Sequence, residues 1–204
     1  MKFPIKQSYT VAAANLTGFK SNATGASFVL TATTPGDGLA HQVTVKNDSA
    51  TDHSGKTIAL VGFDANNRPQ TETLTAPAGS ATVTSTKFWS ELTSPIAPSA
   101  TIGADTFDIG WAAAAVSPWV DLEWWRKSFS ASVAVVKAGT INYDVEHAYD
   151  KDLAGATAFK HADITGSTAN DSGTYLAPVT AVRVNVNSHT GGSFDFHVLQ
   201  GERD

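Results

Sequence analysis

The chain has 204 residues, enough for one large β-domain or two small ones with a real core, and no cysteine, which excludes disulfide frameworks, thiolate metal sites and cysteine nucleophiles. Its formal net charge is -5 and its 14 lysines and arginines are scattered, so no basic stripe matches a phosphate backbone and no nucleic-acid partner is expected. Charged residues make up 16% of the chain, below the roughly 25% of ordinary globular proteins, which suggests a surface partly covered by other chains.

Residues 1–25 show poor periodicity and many small polar residues. They read as an extended N-terminal arm, with Phe3 and Ile5 as candidate contact residues. The start passes into polar sequence, and no stretch reaches the roughly 18 apolar residues of a membrane span. A soluble chain made without a cleaved signal, with no membrane partner, is the expectation.

From there the period is two wherever it is clear. Strands are expected over residues 27–33, 41–46 and 56–63. The turn-forming run Asp64-Ala65-Asn66-Asn67-Arg68-Pro69 leads into a strand over 70–76, and another covers 81–88. The best helical candidate, residues 87–92, amounts to one or two turns. Across residues 112–118, four alanines and a proline interrupt the alternation ahead of Trp119, Trp124 and Trp125, and a module boundary is placed there.

In the second half, Ile141, Tyr143 and Val145 alternate with Asn142, Asp144 and Glu146, the pattern of a half-buried strand. Val182, Val184 and Val186 alternate with Arg183, Asn185 and Asn187. The run Ser188-His189-Thr190-Gly191-Gly192 then supplies turn residues before Phe194, Phe196 and Val198 alternate again, so residues 181–200 read as a hairpin with one apolar face. On this reading Val184→Asp unfolds the module, while Asn185→Asp is nearly silent. The fold expected is all-β, an antiparallel β-sandwich or jelly-roll-like architecture. It would comprise an arm (1–25) and two β-modules (26–117 and 118–204).

A search for chemistry returns little. There is no phosphate loop, dinucleotide fingerprint, paired-histidine zinc helix or serine elbow. The six histidines, at 41, 53, 147, 161, 189 and 197, lack ligand spacing, so neither metal nor cofactor is expected. Asp144 and Glu146 lie about 7 Å apart by strand rise, near the spacing of glycosidase carboxylates. Two acids on the polar face of an alternating strand are, however, what solvent exposure alone produces. Asp48, Asp52, Asp64 and Asn66 carry oxygen ligands but read as ordinary turn formers. Trp119, Trp124 and Trp125, with Trp89 and Trp111, fill a core or anchor an interface. Adjacent Trp124 and Trp125 on one strand would point to opposite faces.

The run Lys56-Thr57-Ile58-Ala59-Leu60-Val61-Gly62-Phe63-Asp64-Ala65-Asn66-Asn67, followed by Gln70-Thr71-Glu72-Thr73-Leu74 and Thr86-Lys87-Phe88-Trp89, resembles a pattern common in structural proteins of tailed bacteriophages and prophages. Residues 139–147, 178–186 and 196–201 are similar to the same group. The resemblance implies a virion protein without an active site, made in the host bacterial cytoplasm. Its role would be capsid decoration or cement on the outside of the head shell, as a homo-oligomer bound to the major capsid protein or other virion proteins. A tail, neck or head-fibre component is the alternative within that class. Outside it stand a carbohydrate-binding module on the tryptophans and a glycosidase on Asp144 and Glu146.

Overall fold

The computed structural model describes residues 4–125 and 129–201. All regular structure among them is strand, in chain order β1 (Ile5–Thr10), β2 (Asn15–Ala23), β3 (Ala40–Asn47), β4 (Thr57–Phe63), β5 (Pro69–Thr75), β6 (Thr82–Trp89), β7 (Glu91–Leu92), β8 (Ala97–Pro98), β9 (Phe107–Val116), β10 (Val120–Asp121), β11 (Ala131–Ala148), β12 (Phe159–Lys160), β13 (Asp171–Tyr175) and β14 (Ala181–Gln200). The chain divides into two compact units, one formed by Met1–Val11 with Val116–Asp204 and the other by Ala12–Ala115.

The unit of residues 12–115 is an antiparallel β-sandwich. One sheet runs β2, β9, β3, β6, and the other runs β5, β4, β7 with β8 also on β4. Alternation produces the two inner faces: Ile58 and Leu60 of β4 turn inward while Ala59 between them and Val61 after them are exposed. They meet Val43 and Val45 of β3, Phe107 and Ile109 of β9, Phe19 and Trp89 in a single core. Each such apolar side chain contributes about 1.5–3 kcal/mol on full burial. Gly18 has no room for a side chain because the Trp111 ring lies where its Cβ would be, 2.0 Å away. The indole of Trp111 also packs edge-on to Phe19 and donates from Nε1 to the Ala13 carbonyl at 2.9 Å. A second tie holds the entry of this unit, where Asp37 accepts the Ala12 amide at 2.8 Å and meets the fully buried His41 ring at 2.8 Å.

Two local expectations change here. Residues 27–33 do not form a strand. Phe28 makes one isolated bridge to Ile96, and the Thr31 and Ala32 amides then both donate to the Phe19 carbonyl, which bends the chain out of line. Residues 87–92 are not helical, because Trp89 and Leu92 belong to different sheets and the chain crosses between them at Ser90. There the Ser90 amide and hydroxyl hold the Phe63 and Asp64 carbonyls at 3.0 and 2.5 Å. Residues 112–116 continue β9; the alanines remove the hydrophobic contrast of the strand without ending it.

The other unit is built on one long ribbon. β11 pairs with β14 along its whole length, from Ala131↔Gln200 to Ala148↔Ala181. β13 and β1 flank one end, and β12 and β10 flank the other. The hairpin expected over residues 181–200 is therefore absent: these residues are a single strand whose partner is β11. Gly191 and Gly192 sit at φ of 123° and 141° and face Thr140 and Gly139, itself at 80°. They serve a distorted crossing in mid-ribbon where a turn was expected. Register shifts between Thr140 and Ile141 and between Asn142 and Tyr143 each place an extra residue on β14. Two such shifts restore parity, which is why Val184, Val186, Phe194 and Phe196 are all buried at even positions.

The residues expected to form an arm contribute a strand to each unit. Ile5–Thr10 is extended, as anticipated, but its partner is β14 of the same chain, in register from Ile5↔Val198 to Thr10↔Ser193. Lys6 and Ser8 both contact the Asp195 carboxylate, at 2.8 and 2.6 Å.

Candidate interaction surface

The three tryptophans of the aromatic segment have different fates. Trp119 is buried at 8% exposure, under the guanidinium of Arg183, which lies 4.3 Å from the ring centroid. Its position follows from Ser117, whose amide donates to the Val184 carbonyl at 2.9 Å and whose hydroxyl accepts the Val184 amide at 3.0 Å. This pins the approach to β10. Trp124 and Trp125 are 40% and 66% exposed. They lie in a turn after β10 and not on a strand, so they share one exposed site instead of pointing to opposite faces. Their rings meet edge to face, with centroids 5.9 Å apart.

The turn that carries them is held from behind. The side-chain amide of Gln200 accepts the Glu123 amide proton at 2.9 Å and donates to the Glu123 carbonyl at 3.1 Å, as a neighbouring strand would. A fixed backbone one residue before the pair limits the entropy lost when its rings are covered. Of the other contact candidates, Ile5 is half-buried on β1 against Val198, and Phe3 lies outside the described residues. Trp89 and Trp111 are core residues.

Asp144 and Glu146 are buried, contrary to the solvent-exposed polar face expected of them. Their cover comes from Lys160 of β12, from the loop after it, and from Arg183 and Asn185 of β14. Asp144 accepts the Gly166 amide at 2.6 Å and pairs with Lys160 Nζ at 2.7 Å. Burial alone would raise its pKa, but the Lys160 and Gly166 hydrogen bonds outweigh that and hold the carboxyl below its ordinary value. Glu146 takes Arg183 on one oxygen at 2.7 Å and Asn185 on the other at 2.9 Å. A general acid needs a raised pKa and a free oxygen toward the substrate; this pair has its oxygens engaged by the framework.

The turn acids are likewise engaged. Asp64 accepts the Asn66 and Arg68 amides at 2.8 and 2.9 Å, Asp52 accepts the Ser54 amide at 2.8 Å, and Asp48 pairs with Lys46. Two histidines that look isolated in sequence, His147 and His161, both pack on the ring of Tyr175, with centroids 5.2 and 4.8 Å away. The sequence signal for His147 is its parity with the buried Val145. For the fourteen-residue step to His161 there is none.

The chain matches no family model and no curated protein. Among solved structures it is similar to the crystal structure of the major capsid protein P2 from bacteriophage PM2, at 9% identity and a TM-score of 0.25, over 98% of this chain and 99% of that one. A TM-score that low carries no argument about fold or function.

Proposed function

We propose that the chain is a non-enzymatic structural protein of a tailed-phage virion, and within the virion a decoration or cement protein on the outer face of the head shell. The observation that carries an interaction role is the exposed Trp124–Trp125 pair on a turn clamped by Gln200. Large aromatics at the centre of an interface supply much of its affinity, and two of them presented together from a fixed backbone form such an anchor. The buried carboxylates support the same reading from the other side, because their oxygens are committed to Lys160, Arg183, Asn185 and the Gly166 amide. The partner is the major capsid protein or another virion protein. Repetition over a symmetric shell lets individually weak contacts add through avidity, and binding the assembled state stabilises it by mass action.

Imaging of purified particles at a resolution that places the chain tests this. Density repeated over the shell, with the tryptophan pair against capsid protein, is the expected result. Density confined to a vertex or the tail moves the chain to the neck or tail, and absence from particles overturns the virion reading.

A further inference from the structure

Beside the paired carboxylates, and apart from the tryptophan pair, the unit containing β11 and β14 holds a cavity of about 280 Å³ lined by aromatic rings. His147, at the end of β11, stacks on Phe159 with centroids 5.8 Å apart and meets Tyr149 and Tyr175 edge-on, each at 5.2 Å. Tyr149, which lines the cavity, is 57% exposed and packs at 5.4 Å against Phe159, so Tyr149 braced by Phe159 gives the cavity an accessible aromatic rim.

Below the rim, the lining is polar in a specific way. Tyr175 and His147 are more than nine-tenths buried, yet the Tyr175 hydroxyl and His147 Nδ1 have no hydrogen-bond partner in the protein. Buried groups of this kind are costly unless something else satisfies them. Burial, reinforced by His161 nearby, lowers the His147 pKa, which keeps a neutral ring with one nitrogen free to accept. His161 Nδ1 accepts the Asp163 amide at 3.1 Å, and the Asp163 side chain is exposed beside the cavity. Lys160, the cation in the lining, is neutralised by Asp144 at 2.7 Å. Space for the His161 ring exists because residue 173 is glycine; a Cβ there would lie 2.5 Å from it.

We infer that this cavity binds a single neutral sugar ring, as a free saccharide or as the end of a glycan. A pyranose combines the two features the lining asks for. Its C–H face covers Tyr149, and its hydroxyls supply hydrogen bonds to Tyr175 Oη, His147 Nδ1 and the Asp163 carboxylate. An apolar ligand would leave the buried hydroxyl and imidazole unpaired, and an anion would meet Asp163 with Lys160, the cation in the lining, already engaged by Asp144. The inference stands on the cavity alone and does not depend on the virion reading.

The test is titration of the isotopically labelled full chain with glucose, galactose, mannose, N-acetylglucosamine and rhamnose at up to tens of millimolar, read by amide chemical shifts. Saturable shifts confined to residues 147–149, 159–163 and 173–177 are expected with at least one sugar. Tyr149→Ala, at an exposed position in the lining, should weaken that binding roughly tenfold, and Phe159→Ala, which removes the ring that braces Tyr149, should weaken it less, both without disturbing the rest of the spectrum. Tyr175→Phe, which keeps the packing and removes one hydroxyl, should weaken it roughly fivefold. No saturable shift with any of the five sugars would overturn the inference. So would shifts centred on Trp124 and Trp125, or binding that survives all three substitutions. Particle imaging is a separate measurement, so failure of either reading leaves the other standing.

Discussion

A Cβ on Gly192 would lie 2.3 Å from the carbonyl oxygen of Ala138, so the two long strands approach there more closely than any residue with a side chain allows. Gly192 also sits at φ 141°, and its neighbour Gly191, at 123°, has open space where its Cβ would be. Both glycines therefore carry backbone strain on substitution, but only one carries a collision with main chain. Gly191→Ala should cost about 1–2 kcal/mol. Gly192→Ala should cost about 3 kcal/mol or more, because the ribbon must separate to accept it. Denaturant unfolding of the two variants checks this, and equal losses would show that the close approach is not retained in solution.

On β14 the strand faces predict a second contrast. Val184 is fully buried opposite Val145, and Val184→Asp places an unpaired charge there, at more than about 4 kcal/mol. Asn185 looks from the sequence like a silent surface position, but its amide donates to Glu146 at 2.9 Å. Asn185→Asp removes that donor and sets a carboxylate against a buried carboxylate, so a loss of about 1–2 kcal/mol is expected where alternation alone predicts none. Melting temperatures of the two variants beside the wild type measure both effects.

How far the sequence could be read follows from where the information lies. Strands β4 to β6 were legible because each exposes one face, and one-sided burial writes a period of two into residues such as Ile58, Leu60 and the outward Val61. The glycine pair at 191 and 192 was misread because a turn and a distorted strand crossing ask for the same residues, and only the distant partner β11 distinguishes them. Burial of Asp144 and Glu146 was invisible for a related reason: their cover, from Lys160, Gly166 and Arg183, is supplied by residues up to 37 positions away. The aromatic cavity is likewise assembled from three separated segments.

Within the tryptophan segment, stability and interaction should separate cleanly. Trp119→Ala removes a buried ring and its contact with Arg183, and should cost about 3–5 kcal/mol. The double substitution of Trp124 and Trp125 by alanine removes exposed rings whose contacts include each other, and should change stability by no more than about 0.5 kcal/mol. In the proposed role, that double variant folds normally and fails to join particles. Normal incorporation would remove the pair from the interface.

Acid should expose the Asp144–Lys160 pair. The Asp144 carboxyl is held below its ordinary value of 3.8 when folded, so the folded chain favours the ionised form more than the unfolded chain does. That contribution is fully present well above 3.8. It fades as pH falls through the depressed folded value, where the proton must be taken up. Asp144→Asn can still accept the Gly166 amide and leaves Lys160, whose side chain is 54% exposed, in water. The variant should therefore be less stable than wild type at neutral pH, and the gap should shrink as pH drops below about 4, toward nothing once Asp144 is protonated in both states. Unfolding free energies of the two proteins across that range provide the measurement. A constant gap would mean that the carboxylate's charge, as distinct from its shape, does not stabilise this fold.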